Sequence, residues 1–92
     1  MRMIERTSAF KKDYKRVKVA PRHGHIETLL ESVLRPLMLN QPLAAKYSDH
    51  VLIGEWKDHR ECHLKPDLLL IYTKPDAETL RLVRLGSHSD LF

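Results

Sequence analysis

The sequence predicts a single α+β domain over residues 1–92, with two N-terminal helices packed on one face of an antiparallel β-sheet. Three observations carry this prediction. Apolar residues recur at helical spacing before residue 40, the spacing changes to two after residue 50, and a short apolar run follows at residues 68–72. A chain of 92 residues has room for one hydrophobic core, and its hydrophobic fraction of 42% is ordinary for a globular protein.

The first helix is predicted from about Ser8 to Val19, after a short strand at residues 2–6. Thr7 or Ser8 can cap it. Its apolar side chains are spaced as one helical face, and basic side chains occupy the rest of its surface: Lys11, Lys12, Lys15, Arg16 and Lys18.

The second helix is the clearest element, because apolar residues recur at helical spacing from Ile26 to Met38. Pro36 lies inside this pattern. A proline in a helix lacks the backbone N–H and clashes with the preceding turn, so we expect a kink or an end near Arg35. Residues 40–50, which contain Pro42, predict an irregular loop.

Strands are predicted for the second half of the chain. Residues 56–65 alternate as a half-exposed strand does, and residues 68–72 are typical of a central strand buried on both faces. A turn at residues 74–78 leads to a last strand at residues 79–85. Two helices followed by this meander leave the second sheet face partly open.

Composition limits the partners and the compartment. Sixteen Lys plus Arg against twelve Asp plus Glu give a net charge of +4, which suits RNA, DNA or an acidic protein, although many small proteins are mildly basic. Cys62 is the only cysteine, so no internal disulfide is possible. With no signal-peptide pattern and no stretch of ~20 apolar residues, we expect a cytosolic protein without membrane contact.

Three of the six histidines, His50, His63 and His88, lie where the pattern predicts exposure. His63 would share a strand face with Glu61 and His59, because side chains two residues apart point the same way. Asp67 starts the next strand. If the strand of His63 and the last strand are neighbours, these groups meet at one edge of the open face.

That set of side chains fits RNA cleavage by the neighbouring 2′-hydroxyl. The reaction needs a base, an acid and a positive charge near the phosphate. Histidine can serve as base or acid near neutral pH, an aspartate can orient it, and Arg84 or Arg81 can contact the phosphate. Taken singly, each of these residues is more often a solvated side chain.

A metal site is the competing use of these residues. The letters of residues 59–63 resemble zinc ligands, but strand alternation places Cys62 on the face opposite to His59 and His63. We therefore expect no structural zinc site, no other cofactor, and a buried, inert thiol at Cys62.

Short motifs in the second half of the chain occur in a fixed order: Tyr47-Ser48-Asp49-His50, Gly54-Glu55-Trp56-Lys57, Arg60-Glu61-Cys62-His63, Pro66-Asp67-Leu68-Leu69-Leu70-Ile71-Tyr72 and Arg84-Leu85-Gly86-Ser87-His88-Ser89-Asp90-Leu91-Phe92. The series resembles the YafQ branch of the RelE/ParE toxin superfamily, and the likeness covers nearly the whole chain. Glu61 stands where that branch has an aspartate, and Leu68 where it has an aromatic residue.

The resemblance implies a type II toxin: a ribosome-dependent endoribonuclease, or mRNA interferase, silenced by a DinJ/RelB-like antitoxin. Its partners would be that antitoxin, the ribosome and mRNA. The matching motifs imply four catalytic residues: His50, His63, Asp67 and His88. Arg84 and Phe92 would bind the mRNA, with Glu61 beside them, and the basic helix would contact the ribosome through Lys11, Lys12, Lys15 and Arg16.

Two other functions stay open at this point. A ParE-like protein would inhibit DNA gyrase without nuclease chemistry, but would have no use for histidines at positions 50, 63 and 88. A degenerate toxin would keep only the binding surface. Trp56 and Tyr72 are expected to be packing residues, whereas Phe92 could pack or stack on a nucleobase.

Overall fold

A computed structural model describes residues 1–92, with the exception of the Arg22 side chain. Its elements are β1 (Met3–Arg6), α1 (Ser8–Val19), α2 (Ile26–Met38), β2 (His50–Val51), β3 (Arg60–Lys65), β4 (Leu68–Thr73), β5 (Thr79–Gly86) and α3 (His88–Leu91). Short 3-10 turns lie at Pro21–His23, Ala45–Tyr47 and Gly54–Trp56. The α+β fold is thereby confirmed.

Helix α1 begins where the sequence predicts. Thr7 is extended, and its side-chain oxygen accepts a hydrogen bond of 3.0 Å from the Phe10 N–H, which satisfies one free donor of the first turn. Phe10 and Val17 are buried, as the apolar spacing requires, and Asp13 is buried between them.

Helix α2 runs through Pro36 to Met38, so the expectation of an end near Arg35 is wrong. The Leu39 N–H still bonds to the Arg35 carbonyl at 3.2 Å, which closes the last turn beyond the proline. Leu37 continues the buried stripe of Leu30 and Val33. Its burial offsets the one hydrogen bond that the proline removes.

The sheet has the order β1-β5-β4-β3-β2. The predicted antiparallel sheet is confirmed for the pairs β2–β3, β3–β4 and β4–β5, whereas β1, at the edge, pairs with β5 in parallel. Strand β4 is central and wholly buried from Leu68 to Ile71, as predicted.

Strand β3 begins at Arg60 and not at residue 56. Residues 54–56 form a 3-10 turn, and Asp58 has a φ of 69°, which no strand accommodates. His59 therefore lies outside the strand, and the prediction that it shares a face with His63 is wrong. The predicted loop at 40–50 contains a 3-10 turn and the start of β2.

Each face of the sheet has its own apolar cluster. The larger lies under α1 and α2 and includes Phe10, Val33 and Leu82. On the opposite face, Leu69 and Ile71 pack against Leu91 of α3, with Leu52, Trp56 and Val83 around them. Nowhere in the described chain is a helix long and apolar enough to cross a membrane.

Candidate active site

Glu61 is the centre of a polar cluster on the sheet face opposite to the two long helices. It is opposite His50 in the β2–β3 pair, and His63 follows two residues later on the same face of β3. Its Oε2 lies 3.1 Å from His50 Nε2 and 3.4 Å from His63 Nε2. The Glu61 side chain is only 5% exposed, so these histidines are its main compensation for lost hydration.

His50 is oriented from both sides of its ring. Its Nδ1 lies 2.7 Å from the Ser48 carbonyl oxygen, and a carbonyl can only accept, so Nδ1 carries hydrogen. The ring's other nitrogen then faces an oxygen of Glu61, a second acceptor when ionised. A proton between His50 Nε2 and Glu61 Oε2 would be shared by a ring nitrogen and a carboxylate oxygen 3.1 Å apart.

Asp49 anchors the segment that carries His50. The Tyr72 hydroxyl donates to Asp49 Oδ1 at 2.6 Å, and Arg60 Nε and Nη2 donate to its two oxygens at 3.3 Å each. Burial, and then the hydrogen bond to Asp49, raises the pKa of Tyr72. Sequence reasoning missed this anchor, because only the folded sheet brings positions 49, 60 and 72 together.

His88 reaches the cluster although β3 and β5 are not neighbours, since β4 lies between them. His63 is opposite Leu69, and Leu69 is opposite Gly86, so the three residues form a line across the sheet. The chain then turns back over β4 as α3. A side chain at Gly86 would meet side-chain atoms of Arg16 and Asp90 at 3.0–3.1 Å, so this close approach favours glycine.

The turn into α3 is fixed by a capping box. The Ser87 side chain accepts from the Asp90 N–H at 3.2 Å, and Asp90 Oδ2 accepts from the Ser87 N–H at 3.1 Å. Asp67, in the turn between β3 and β4, accepts from the His88 backbone N–H at 3.4 Å, and its Oδ1 lies 3.9 Å from His88 Nδ1. Both side chains are more than half exposed.

The three histidines belong to a longer series of rings. The ring centroids are 6.2 Å apart for His50 and His63, and 5.9 Å apart for His63 and His88. Phe92 follows at 6.0 Å from His88 and is 59% exposed. The structure therefore brings together five of the residues named by the motifs, and Asp67 lies at their rim. The five are His50, Glu61, His63, His88 and Phe92.

Arg84 is not part of this group, because it is paired with Asp13 of α1. Its Nε and Nη2 donate to the two oxygens of Asp13 at 2.7 and 3.2 Å, and this hydrogen bonding raises its pKa. Asp13 also accepts from the Leu85 N–H at 3.0 Å, on the part of β5 that β1 leaves uncovered. A carboxylate on the apolar face of α1 was the sequence signal for this buried pair.

The basic residues of α1 differ in their surroundings. Lys11, Lys12 and Lys15 are exposed. Arg16 is half exposed, but its Nη2 lies 3.2 Å from the Leu85 carbonyl, 3.4 Å from Asp13 and 3.6 Å from Asp90. Arg16 therefore joins α1 to β5 and α3, which the sequence did not predict.

Three side chains could hold a metal ion. One ligand atom from each of His50, Glu61 and His63 lies within 4.8 Å of the others. Sequence analysis did not predict this set, because the zinc-like motif that it rejected spans residues 59–63 and does not include His50. Its placement of Cys62 is confirmed: the thiol is fully buried on the helix side, and burial raises its pKa to about 12.

Comparison with known proteins identifies relatives over nearly the whole chain. The model of the family described as "Bacterial toxin of type II toxin-antitoxin system, YafQ" matches residues 2–92. The chain belongs to the YafQ toxin family. It is 42% identical over 94 residues to the mRNA interferase toxin YafQ of Escherichia coli K12, which covers 98% of this chain and 99% of the relative.

Solved structures of other bacterial toxins share the fold. A metal-bound toxin from Helicobacter pylori is 53% identical, with a TM-score of 0.87 over the full length of both chains. A copper-bound mutant toxin from the same organism is 39% identical, with a TM-score of 0.89 and full coverage of both chains. The toxin in the E. coli DinJ–YafQ complex is 38% identical, with a TM-score of 0.84, covering 100% of this chain and 99% of the other.

Proposed function

We propose that this YafQ-family toxin is a ribosome-dependent endoribonuclease that cuts mRNA in the decoding site. The observation that carries the proposal is the buried Glu61 carboxylate between His50 and His63. His88 lies next to His63 on the same face, with the two ring centroids 5.9 Å apart. Similarity to an mRNA interferase supports it. Such a substrate is found in the cytoplasm, the compartment that the sequence led us to expect.

The reaction begins at the 2′-hydroxyl next to the cleaved linkage. A neutral histidine takes up the hydroxyl proton, and the 2′-oxygen bonds to phosphorus. The bond to the 5′-oxygen then breaks, and that oxygen receives a proton. The products are a 2′,3′-cyclic phosphate and a 5′-hydroxyl, so the reaction consumes no water and needs no bound metal.

The contacts suggest which groups take each role. His50, whose Nε2 lies 3.1 Å from the Glu61 carboxylate, would protonate the leaving oxygen. His88 is exposed beside Asp67, which suits uptake of the hydroxyl proton. His63, which shares Glu61 with His50, would supply positive charge at the phosphate when it is protonated.

Arg84 and Phe92 would bind the mRNA chain. Because Asp13 engages Arg84 Nε and Nη2, Arg84 would reach a phosphate through Nη1. The exposed Phe92 ring follows His88 and would contact a base.

The proposed partner that silences the toxin is a DinJ-like antitoxin. The E. coli relative is known in complex with DinJ, and this chain has a net charge of +4 that would attract an acidic segment. Co-expression with the product of the adjacent gene should yield a complex that withstands high-salt washing. Recovery of the toxin alone would contradict this partner.

The decisive experiment uses ribosomes programmed with an mRNA of defined sequence. The protein should cut it once, leaving a cyclic phosphate upstream and a 5′-hydroxyl downstream. A single 2′-deoxy nucleotide at the cut should block the reaction, and the single-turnover rate should be bell-shaped in pH, because one acid and one base are required. Cutting of the deoxy substrate at the normal rate would contradict the mechanism.

The same experiment separates the alternatives. A gyrase inhibitor or a purely binding module would leave the mRNA intact, and neither gives a role to a buried carboxylate held between two histidines.

A further inference from the structure

His50 lies in the shortest strand of the sheet. Strand β2 contains two residues, both exposed, and it is the last strand in the sheet order, so it is paired on one side only. Ser48 has a left-handed φ of 48°, so the chain enters β2 from an irregular turn. A segment with so few ladder hydrogen bonds opens easily. The position of the His50 ring therefore depends on the side-chain contacts of its neighbours.

The residue before His50 makes such a contact on the other face of the sheet. Successive side chains of an extended chain point to opposite faces, so Asp49 faces the helix side while His50 faces the open side. Asp49 Oδ1 accepts from the Tyr72 hydroxyl at 2.6 Å. Tyr72 is 1% exposed and belongs to the helix-side core, so its hydroxyl is a fixed point. Hydrogen bonds to an ionised oxygen are roughly twice as strong as neutral ones.

Arg60 completes what we call the Asp49 clamp: Asp49, Arg60 and Tyr72. Arg60 is opposite Tyr72 in the β3–β4 pair and opposite Val51 in the β2–β3 pair. Its Nε and Nη2 donate to the two oxygens of Asp49 at 3.3 Å each, and this hydrogen bonding raises the pKa of Arg60. The clamp therefore ties the start of β2 to β3 and to the central strand β4.

Packing does not explain the Tyr72 hydroxyl. Leu68 and Leu70, which precede Tyr72 on the same face of β4, are equally buried and carry no polar group. A buried hydroxyl is costly unless it is hydrogen-bonded, so phenylalanine would be the simpler core residue at position 72. The hydroxyl is instead directed at the residue next to His50.

We infer that Tyr72 is a positioning residue for the cleavage reaction, because its hydroxyl, acting through Asp49, holds the His50 imidazole in place for proton transfer. The inference rests on the proposed function, in which His50 protonates the leaving oxygen. Tyr72 does not touch the substrate, since it lies on the opposite face of the sheet, under the long helices. A shift of about 1 Å in a reacting group can cost roughly 100-fold in rate.

The test deletes the hydroxyl and keeps the ring. On saturating ribosomes programmed with mRNA, Tyr72→Phe should lower the single-turnover rate constant roughly ten- to hundred-fold, the size expected for a misplaced reacting group. The concentration that gives half the maximal rate should stay as in wild type, because the substrate contacts lie on the other face. In a His50→Ala background the same substitution should cause no further loss, because the group that Tyr72 positions is already gone.

Tyr14→Phe is the matched control. It removes another tyrosine hydroxyl from the helix side, one that is hydrogen-bonded to Glu27 and lies outside the Asp49 clamp. Its cleavage rate should equal that of the wild type. A wild-type rate for Tyr72→Phe would overturn the inference. Equal losses from Tyr72→Phe with His50 present and with His50 replaced would also overturn it, in favour of a general effect on the fold.

Variants of Asp49 keep the test decisive if Tyr72→Phe does not fold. The Asp49 side chain is 21% exposed, so it tolerates substitution better than the core tyrosine. Asp49→Asn keeps an oxygen that can accept from the hydroxyl, whereas Asp49→Ala keeps none. The rate should therefore fall moderately in the first variant and further in the second, and only where His50 is present. A wild-type rate for Asp49→Ala would contradict the inference.

NMR spectra of the imidazole rings measure the positioning without any RNA. In Tyr72→Phe the ring resonances of His50 should shift and broaden, while those of His88 stay as in wild type. If the wild type fails to cut mRNA, the proposed function fails, while this selective change still supports positioning of His50 by Tyr72. Unchanged His50 resonances, or equal changes at His50 and His88, would overturn the inference.

Discussion

Glu61 shows how one buried carboxylate organises the site. Burying a charge is costly unless it is paired, and two histidine nitrogens at 3.1 and 3.4 Å provide that pairing. The arrangement is useful for chemistry because either histidine can lose its proton while the other keeps Glu61 partnered. His50 is held additionally by the Ser48 carbonyl oxygen, 2.7 Å from its Nδ1.

His88 offers the cleanest single-residue test. Its side chain is 58% exposed, and it is the first residue of α3, a position that alanine suits. We expect His88→Ala to lower the single-turnover cleavage rate by about 100-fold or more, the size of a lost acid or base. Thermal unfolding should stay within a few degrees of wild type. A folded variant that cleaves at the wild-type rate would remove His88 from the mechanism.

The sequence predicted some of these residues and missed others for one physical reason. His50, His63 and His88 could be placed at the surface because each breaks a local apolar pattern. The anchoring contacts of Asp49 and Asp13 could not be predicted, because the partners of these residues are 11 to 72 residues away along the chain. A local pattern shows where a side chain points and does not show what meets it.

Helix α1 has a buried face that contacts β5 and an exposed face that is basic. Asp13 on the buried face holds Arg84 and the Leu85 N–H, so it closes the edge of β5 beyond the end of β1. Lys11, Lys12 and Lys15 point away from the core. Arg16 belongs to the structural face, because it contacts the Leu85 carbonyl and Asp13.

The exposed lysines of α1 should contact ribosomal RNA. We expect the triple replacement of Lys11, Lys12 and Lys15 by Gln to weaken ribosome binding and to flatten its salt dependence. Each lost phosphate contact should reduce the slope of log K against log salt by about 0.7 to 0.9. Arg16 is left intact to protect the fold.

Lys18→Gln is the control on the same helix, since Lys18 is paired with Glu27 at 3.2 Å. It should leave the salt slope nearly unchanged. A triple variant with the wild-type slope would mean that this face of α1 is only solvated. Filter binding at several salt concentrations measures both.

Periodicity in the sequence predicted those elements that depend on neighbouring residues alone. The extents of α1 and β4 followed from spacing and capping, and both agree with the structure. The parallel pairing of β1 with β5 joins the two ends of the chain, which no local pattern encodes. The alternation at residues 56–59 was misleading, because Asp58 adopts a left-handed conformation there and turns the chain.

The whole molecule divides its tasks between the two faces of its sheet. The large core under α1 and α2 provides most of the buried apolar surface, while the smaller cluster with Leu91 supports α3. Substitutions on the open face can therefore change chemistry with limited effect on the main core. The same division leaves His50 and His63, beside the buried Glu61, on the face that other ligands can reach, metal ions among them.

A transition metal ion should inhibit the toxin. The distances from Glu61 Oε2 to His50 and His63, 3.1 and 3.4 Å, match the spacing of about 3.3 Å between ligands of a tetrahedral zinc site, and all three ligand atoms lie within 4.8 Å of one another. A bound ion would occupy the histidine lone pairs that proton transfer needs. Relatives from Helicobacter pylori have been observed with bound metal, including copper.

We expect Zn²⁺ to lower the single-turnover cleavage rate, Cu²⁺ to act at lower concentration, and a chelator specific for these ions to restore the rate. Calorimetric titration should show one ion per chain, with weaker binding in Glu61→Gln. Asp67→Asn, which alters a carboxylate outside the three-residue set, should bind the ion as wild type does. If Zn²⁺ instead raised the rate and allowed cutting of a 2′-deoxy mRNA, a metal-bound hydroxide would be the nucleophile and the histidine mechanism would be wrong.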